Sequence, residues 1–228
     1  SVIGGTTAAA GSFTTLTASA ASTITVADNS DNLTLTSTDA DAISGPNVNF
    51  YRNSGSPADN DHLGEIRFTG RNDNSQDVVY ANIETRIKDA SDGTEDGYFD
   101  FETMVAGTLQ SRMIMNETAT VFNEDSLDLD FRVESNGNAN MLFVDGGNDV
   151  IGIGESDPNG YWGQANDIVI DTSGNGGMTI KSTTTGNGRL VFTDTKSSTA
   201  GNADGGQIAY NHPSDYMMLQ TGGSERMR

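Results

Sequence analysis

Along most of the chain, large apolar residues recur at every second position and are interrupted by glycine-rich turns. The pattern runs through Val48 and Phe50, Ile66 and Phe68, the series Val79, Ile83 and Ile87, Phe99 and Phe101, and Phe131 and Val133. It resumes in Met141 and Phe143, Ile151 and Ile153, Ile168 and Ile170, Met178 and Ile180, Leu190 and Phe192, and Ile208 and Tyr210. A period of two puts one face of a strand inward and one in water. Asn53-Ser54-Gly55, Asp92-Gly93, Asn136-Gly137, Gly146-Gly147-Asn148 and Gly186-Asn187-Gly188 supply the turn chemistry between runs. No window carries a sustained i, i+3, i+4 apolar face with caps, so the pattern predicts an all-β chain with almost no helix.

Each such strand hides only two or three large side chains, while ordering costs about 1–2 kcal/mol of backbone entropy per residue. Composition sharpens the difficulty: Gly, Ser, Thr, Asn and Asp make up 118 of 228 residues, and the hydrophobic set reaches only 34%. A lone chain is therefore under-cored. Homotrimerisation stacks the same thin faces from three copies around one axis, and a monomeric β-sandwich with long polar loops is the plainer alternative. The formal charge of −20 repels phosphate backbones, which speaks against nonspecific nucleic-acid or anionic-membrane binding. No stretch approaches the roughly 18 apolar residues of a helical span. The chain has no cysteine, so disulfides and thiolate metal sites are excluded. Ser1 to Gly11 lacks a basic and an apolar signal region, and reads as the start of an excised or processed chain.

One motif occurs twice. Leu33-Thr34-Leu35-Thr36-Ser37 corresponds to Met178-Thr179-Ile180-Lys181-Ser182, Val48-Asn49-Phe50 to Leu190-Val191-Phe192, and Gly64-Glu65-Ile66-Arg67-Phe68 to Gly206-Gln207-Ile208-Ala209-Tyr210. Farther on, Tyr98 to Thr103 matches Tyr216 to Thr221, and Arg112-Met113 matches Arg226-Met227. The first copy has an additional segment, Asn72 to Lys88, expected to be an extra strand or hairpin. The implied organisation is an N-terminal segment over 1–32, a first β module over 33–126, a connector over 127–167 and a second module over 168–228. The second copy stops just after its last strand begins, which reads as a polypeptide continuing past Arg228.

Three segments resemble bacteriophage tail-fibre and appendage proteins. Ile3-Gly4-Gly5-Thr6-Thr7 through Ala10-Gly11-Ser12-Phe13-Thr14-Thr15-Leu16-Thr17 is similar to a segment near fibre shafts, with Ala9 where proline is usual. Val150-Ile151-Gly152-Ile153-Gly154-Glu155-Ser156-Asp157-Pro158 resembles a turn repeated in phage fibres. Thr221-Gly222-Gly223-Ser224-Glu225-Arg226-Met227-Arg228 resembles a strand found upstream of an intramolecular chaperone domain of the endosialidase type. The resemblance implies an elongated homotrimeric fibre of tandem small β-sandwich or β-prism modules with intertwined shaft segments. It places the chain in the extracellular virion as a rigid spacer and host-attachment element. Its partners would be other tail or appendage proteins and a bacterial surface glycan. A polysaccharide-depolymerising tailspike and a bacterial surface adhesin are the alternatives.

No coherent catalytic or metal set emerges, and no cofactor is expected. His62 and His212 lie beside turn residues without a nucleophile or spaced ligands nearby. Asp39, Asp41, Asp59, Asp61 and the stretch from Asp28 to Asn32 lack the spacing of a calcium loop. Asp128 and Asp130 read as a carboxylate pair on one strand face, the thin basis for a hydrolase. Gly152-Ile153-Gly154 has no following helix and so no dinucleotide fold. The candidate binding residues are Tyr161 and Trp162, in a glycine-flanked loop. They read either as a platform for a sugar ring or, preferably, as a plug between successive modules, with Gly152 and Gly154 letting backbones approach at a threefold axis.

Overall fold

The computed structural model describes residues 15–172, 174–194 and 205–227. The expected shaft motif at Ile3–Thr14 lies outside them. Among these residues thirteen strands form three sheets in chain order, with one short 3-10 turn within the second sheet's connections and no α-helix. The chain is all-β.

The first sheet holds β1 (His62–Arg71), β2 (Asp77–Asp89), β3 (Asp96–Val105), β4 (Thr108–Met115) and β5 (Thr120–Phe122), each antiparallel to the next. The β3–β4 turn needs positive φ at Ala106 and Gly107, which a two-residue hairpin of this twist requires. The second sheet holds β6 (Phe131–Val133), β7 (Leu142–Asp145), β8 (Val150–Ile153) and β9 (Ile168–Ile170), with β8 and β9 parallel. A parallel pair needs a crossover, and the segment from Gly154 to Asp167 supplies it through the 3-10 turn Pro158–Gly160. The third sheet holds β10 (Asn187–Phe192), β11 (Gly206–Asn211), β12 (Tyr216–Thr221) and β13 (Ser224–Met227), again antiparallel.

The sequence repeat has a structural counterpart. In the first sheet one cross-strand row reads Ile66, Ile83, Phe101, Met113, Phe122. In the third, the equivalents of Ile66, Phe101 and Met113 form the row Ile208, Leu219, Met227. The difference is β2, spliced between β1 and β3, which accounts for the additional segment from Asn72 to Lys88. Arg112 Nε donates to Thr103 Oγ1 at 2.5 Å, and Arg226 Nε donates to Thr221 Oγ1 at 2.8 Å, so the paired motifs make the same bond.

Residues 15–61 contain no strand, so the alternation at Val48 and Phe50 forms none, nor does that at Met178 and Ile180. Both runs still lie against the sheets. A Cβ on Gly64 would meet Phe50 at 3.1 Å, and one on Gly188 would meet the Ile180 carbonyl at 3.5 Å in the second copy. The backbone approach at Gly152 and Gly154 is made within one chain: a side chain on Gly152 would collide with the Glu155 carbonyl, and one on Gly154 with that of Asp171. The glycine face of β8 is thus filled by its own crossover.

Candidate functional site

Each sheet presents an apolar row that the described residues leave partly exposed. In the first sheet Ile66 and Phe122 are exposed at the two ends of the row, as is Phe68 farther along β1. In the second the row is Phe131, Val144, Ile151, Ile168, with Ile168 and Ile170 exposed. In the third, Leu190 extends the row Ile208, Leu219, Met227, and all four are exposed. Met178 and Ile180 line a shallow recess beside Leu190, Ile208 and Met217. Burial is mixed: Ile114, Phe143, Val150, Val169, Ala209 and Met218 are buried beside Asn82, Glu84, Asp100, Asn166 and Gln207, while many other large apolar side chains face water. The accessible surface is 17619 Å². A compact chain of this mass would leave roughly 9,900 Å².

Tyr161 and Trp162 lie on the β8–β9 crossover. The loop has internal order: Asp157 and Ser156 backbone N–H groups donate to Glu155 Oε1 at 2.7 and 2.6 Å, and Tyr161 donates its hydroxyl to Glu155 Oε2 at 2.8 Å. These bonds hold the Glu155 carboxyl below the usual range, the Asp157 backbone bond contributing most. The carboxylate beside it raises the Tyr161 hydroxyl above its ordinary value. Ala165 N–H closes the loop onto the Trp162 carbonyl at 2.8 Å. Trp162 is 71% exposed, so among the described residues it is not packed into a junction.

The other sequence candidates are placed as follows. Asp128 and Asp130 precede β6 rather than sharing a strand face; Asp130 Oδ1 accepts from Gly146 N–H at 3.2 Å, bracing the β7–β8 turn. Asp61 pairs with Arg52 at 3.1 Å, Asp59 accepts from Ala90 N–H at 2.9 Å, and Asp28 from Ser30 N–H at 2.9 Å. Among the described residues these aspartates do not gather into a three-ligand set. His212 stacks edge-on against Tyr210, ring centroids 4.8 Å apart. His62 opens β1 next to Glu65 and Glu84. That grouping was hidden in the sequence because Glu84 reaches it only through the β1–β2 register. No family model, curated protein or solved structure matches the chain.

Proposed function

We propose that the chain is a structural segment of a homotrimeric all-β appendage of a bacteriophage virion, acting as a rigid spacer that presents Tyr161 and Trp162 toward the bacterial surface. The observation that carries the association is the set of partly exposed apolar rows, one on each sheet, which copies of the chain satisfy by stacking like faces about an axis. The virion assignment is supported by the three motifs quoted above. A trimer carries three copies of each contact loop, so weak individual contacts add by avidity and no chemistry is required. The depolymerase reading gains nothing from Asp128 and Asp130, which share no strand face, Asp130 bracing a turn.

The test is electron microscopy of the purified assembly together with incubation on host surface polysaccharide. Threefold particles longer than wide, adhering to cells and releasing no new reducing ends, are expected. Oligosaccharide release abolished by Asp128→Asn or Asp130→Asn would transfer the chain to the depolymerases.

A further inference from the structure

The face of the first sheet opposite its apolar row is charged, and its charges do not balance. Glu65, Glu84 and Asp100 stand directly opposite one another on β1, β2 and β3, a carboxylate row across three adjacent strands. Like charges in facing positions oppose pairing. Glu84 and Asp100 are buried as well, at 6% and 2% exposure. Arg67 takes one oxygen of Glu65 and Arg86 one oxygen of Glu84. Asp100 has no cation: Oδ2 accepts from Ser111 at 2.7 Å and Tyr98 at 3.2 Å, and the buried Oδ1 has no partner.

The fold itself does not need these charges. In the second copy of the repeat, Glu65, Arg67, Asp100 and Glu102 are replaced by Gln207, Ala209, Met218 and Gln220. There Gln207, Ala209 and Met218 are equally well buried without a charge among them. Replacing buried ions by neutral groups is often no loss in stability, so Glu65 and Asp100 are not demanded by the shared fold, and Glu84 lies on β2, which the second copy lacks.

The free oxygens converge on His62. Its Nδ1 lies 3.2 Å from Glu84 Oε2 and 3.9 Å from Glu65 Oε1, with no hydrogen bond formed to either. Donor atoms around a tetrahedral zinc are about 3.3 Å apart, given metal–ligand bonds near 2.0–2.2 Å. The spacing between His62 and Glu84 matches this, and with all three donors within 4.8 Å of one another the Glu65 carboxylate has to move closer to complete the set. We propose that His62, Glu65 and Glu84 form a binding site for a divalent transition metal of the zinc class. One imidazole nitrogen and two carboxylate oxygens suit that class, and two negative ligands match the charge of the ion. Arg67 and Arg86 act as outer partners that fix each carboxylate by its other oxygen. A cation here also offsets the uncompensated Asp100 in the same row. The site ties the edge strand β1 to β2, and water fills the remaining coordination.

All three donors come from one chain, so the test reads independently of association. Isothermal titration of the full chain with zinc chloride, in chelator-free buffer containing excess magnesium to saturate diffuse binding by an acidic surface, should give one saturable site per chain. Cobalt should give a visible d–d absorption at the same stoichiometry. His62→Ala, at an exposed position, and Glu65→Gln should each weaken zinc at least tenfold and remove the cobalt band while leaving the circular dichroism unchanged. Absence of saturable binding, or zinc binding of equal strength in His62→Ala, overturns the proposal. So does a His62 that merely takes up a proton, seen as a titrating imidazole with no cobalt band.

Discussion

Trp162 is a large ring left in water, on a loop that Glu155 and Tyr161 hold in one shape. Removing it forfeits little packing, so Trp162→Ala should change stability by less than about 0.5 kcal/mol while lowering adhesion to cells. Iodide should quench its emission; a blue-shifted, unquenched emission in the assembly would instead place the ring at a contact between copies. The same loop responds to pH with a definite sign. The Glu155 carboxyl is depressed, so its contribution is present above its unfolded value and is lost as pH falls through the lowered folded value. The Tyr161 hydroxyl is raised, so its contribution holds below the unfolded tyrosine value and is lost as pH rises through the folded one. Near-ultraviolet circular dichroism should therefore be flat around neutrality and change on both limbs. Glu155→Gln should remove the acid limb, and an unchanged acid limb in that variant would count against the assignment. Tyr98, on β3, belongs to a different setting: burial first, and then Asp100, pushes its hydroxyl up to about 12.

At the level of elements, the crossover from β8 to β9 depends on Gly154. Its φ of +79° is left-handed, and a Cβ would strike the Asp171 backbone. Gly93 has a similar φ of +86° with open space around it. Gly93→Ala should thus cost only the left-handed strain, about 1–2 kcal/mol, and Gly154→Ala clearly more; equal melting shifts would refute the collision. The strands themselves were legible because alternation directly encodes a two-faced element. The repeat was legible too, down to the β2 insertion, whereas the paired Thr–Arg bonds appear only in the structure. Val48 to Phe50 and Met178 to Ile180 were misread for a physical reason: alternation specifies faces, and these runs lie against residues of the sheets, Phe50 at Gly64 and Ile180 at Gly188, without joining a ladder. The grouping of His62 with Glu84 was illegible because it depends on a bulge between His62 and Gly64 that shifts the pairing.

At the scale of the whole molecule, the described chain is a set of sheets with a small buried core and much of their hydrocarbon exposed. The central row of the third sheet gives the sharpest mutational test of its meaning. Ile208 is already partly exposed in one chain, so Ile208→Asp should leave β-structure intact. In an assembly the same carboxylate would be buried without a partner, at a cost of several kcal/mol per chain, and association should fail. Variants at Gly93, which lies on no apolar row, should associate normally. The account rests above all on self-association, and the mass of the native particle measures it directly. Analytical ultracentrifugation at micromolar concentration should return three times 24.0 kDa. A monodisperse, fully folded species of 24.0 kDa would contradict the account, because its apolar rows would then be stable in water uncovered.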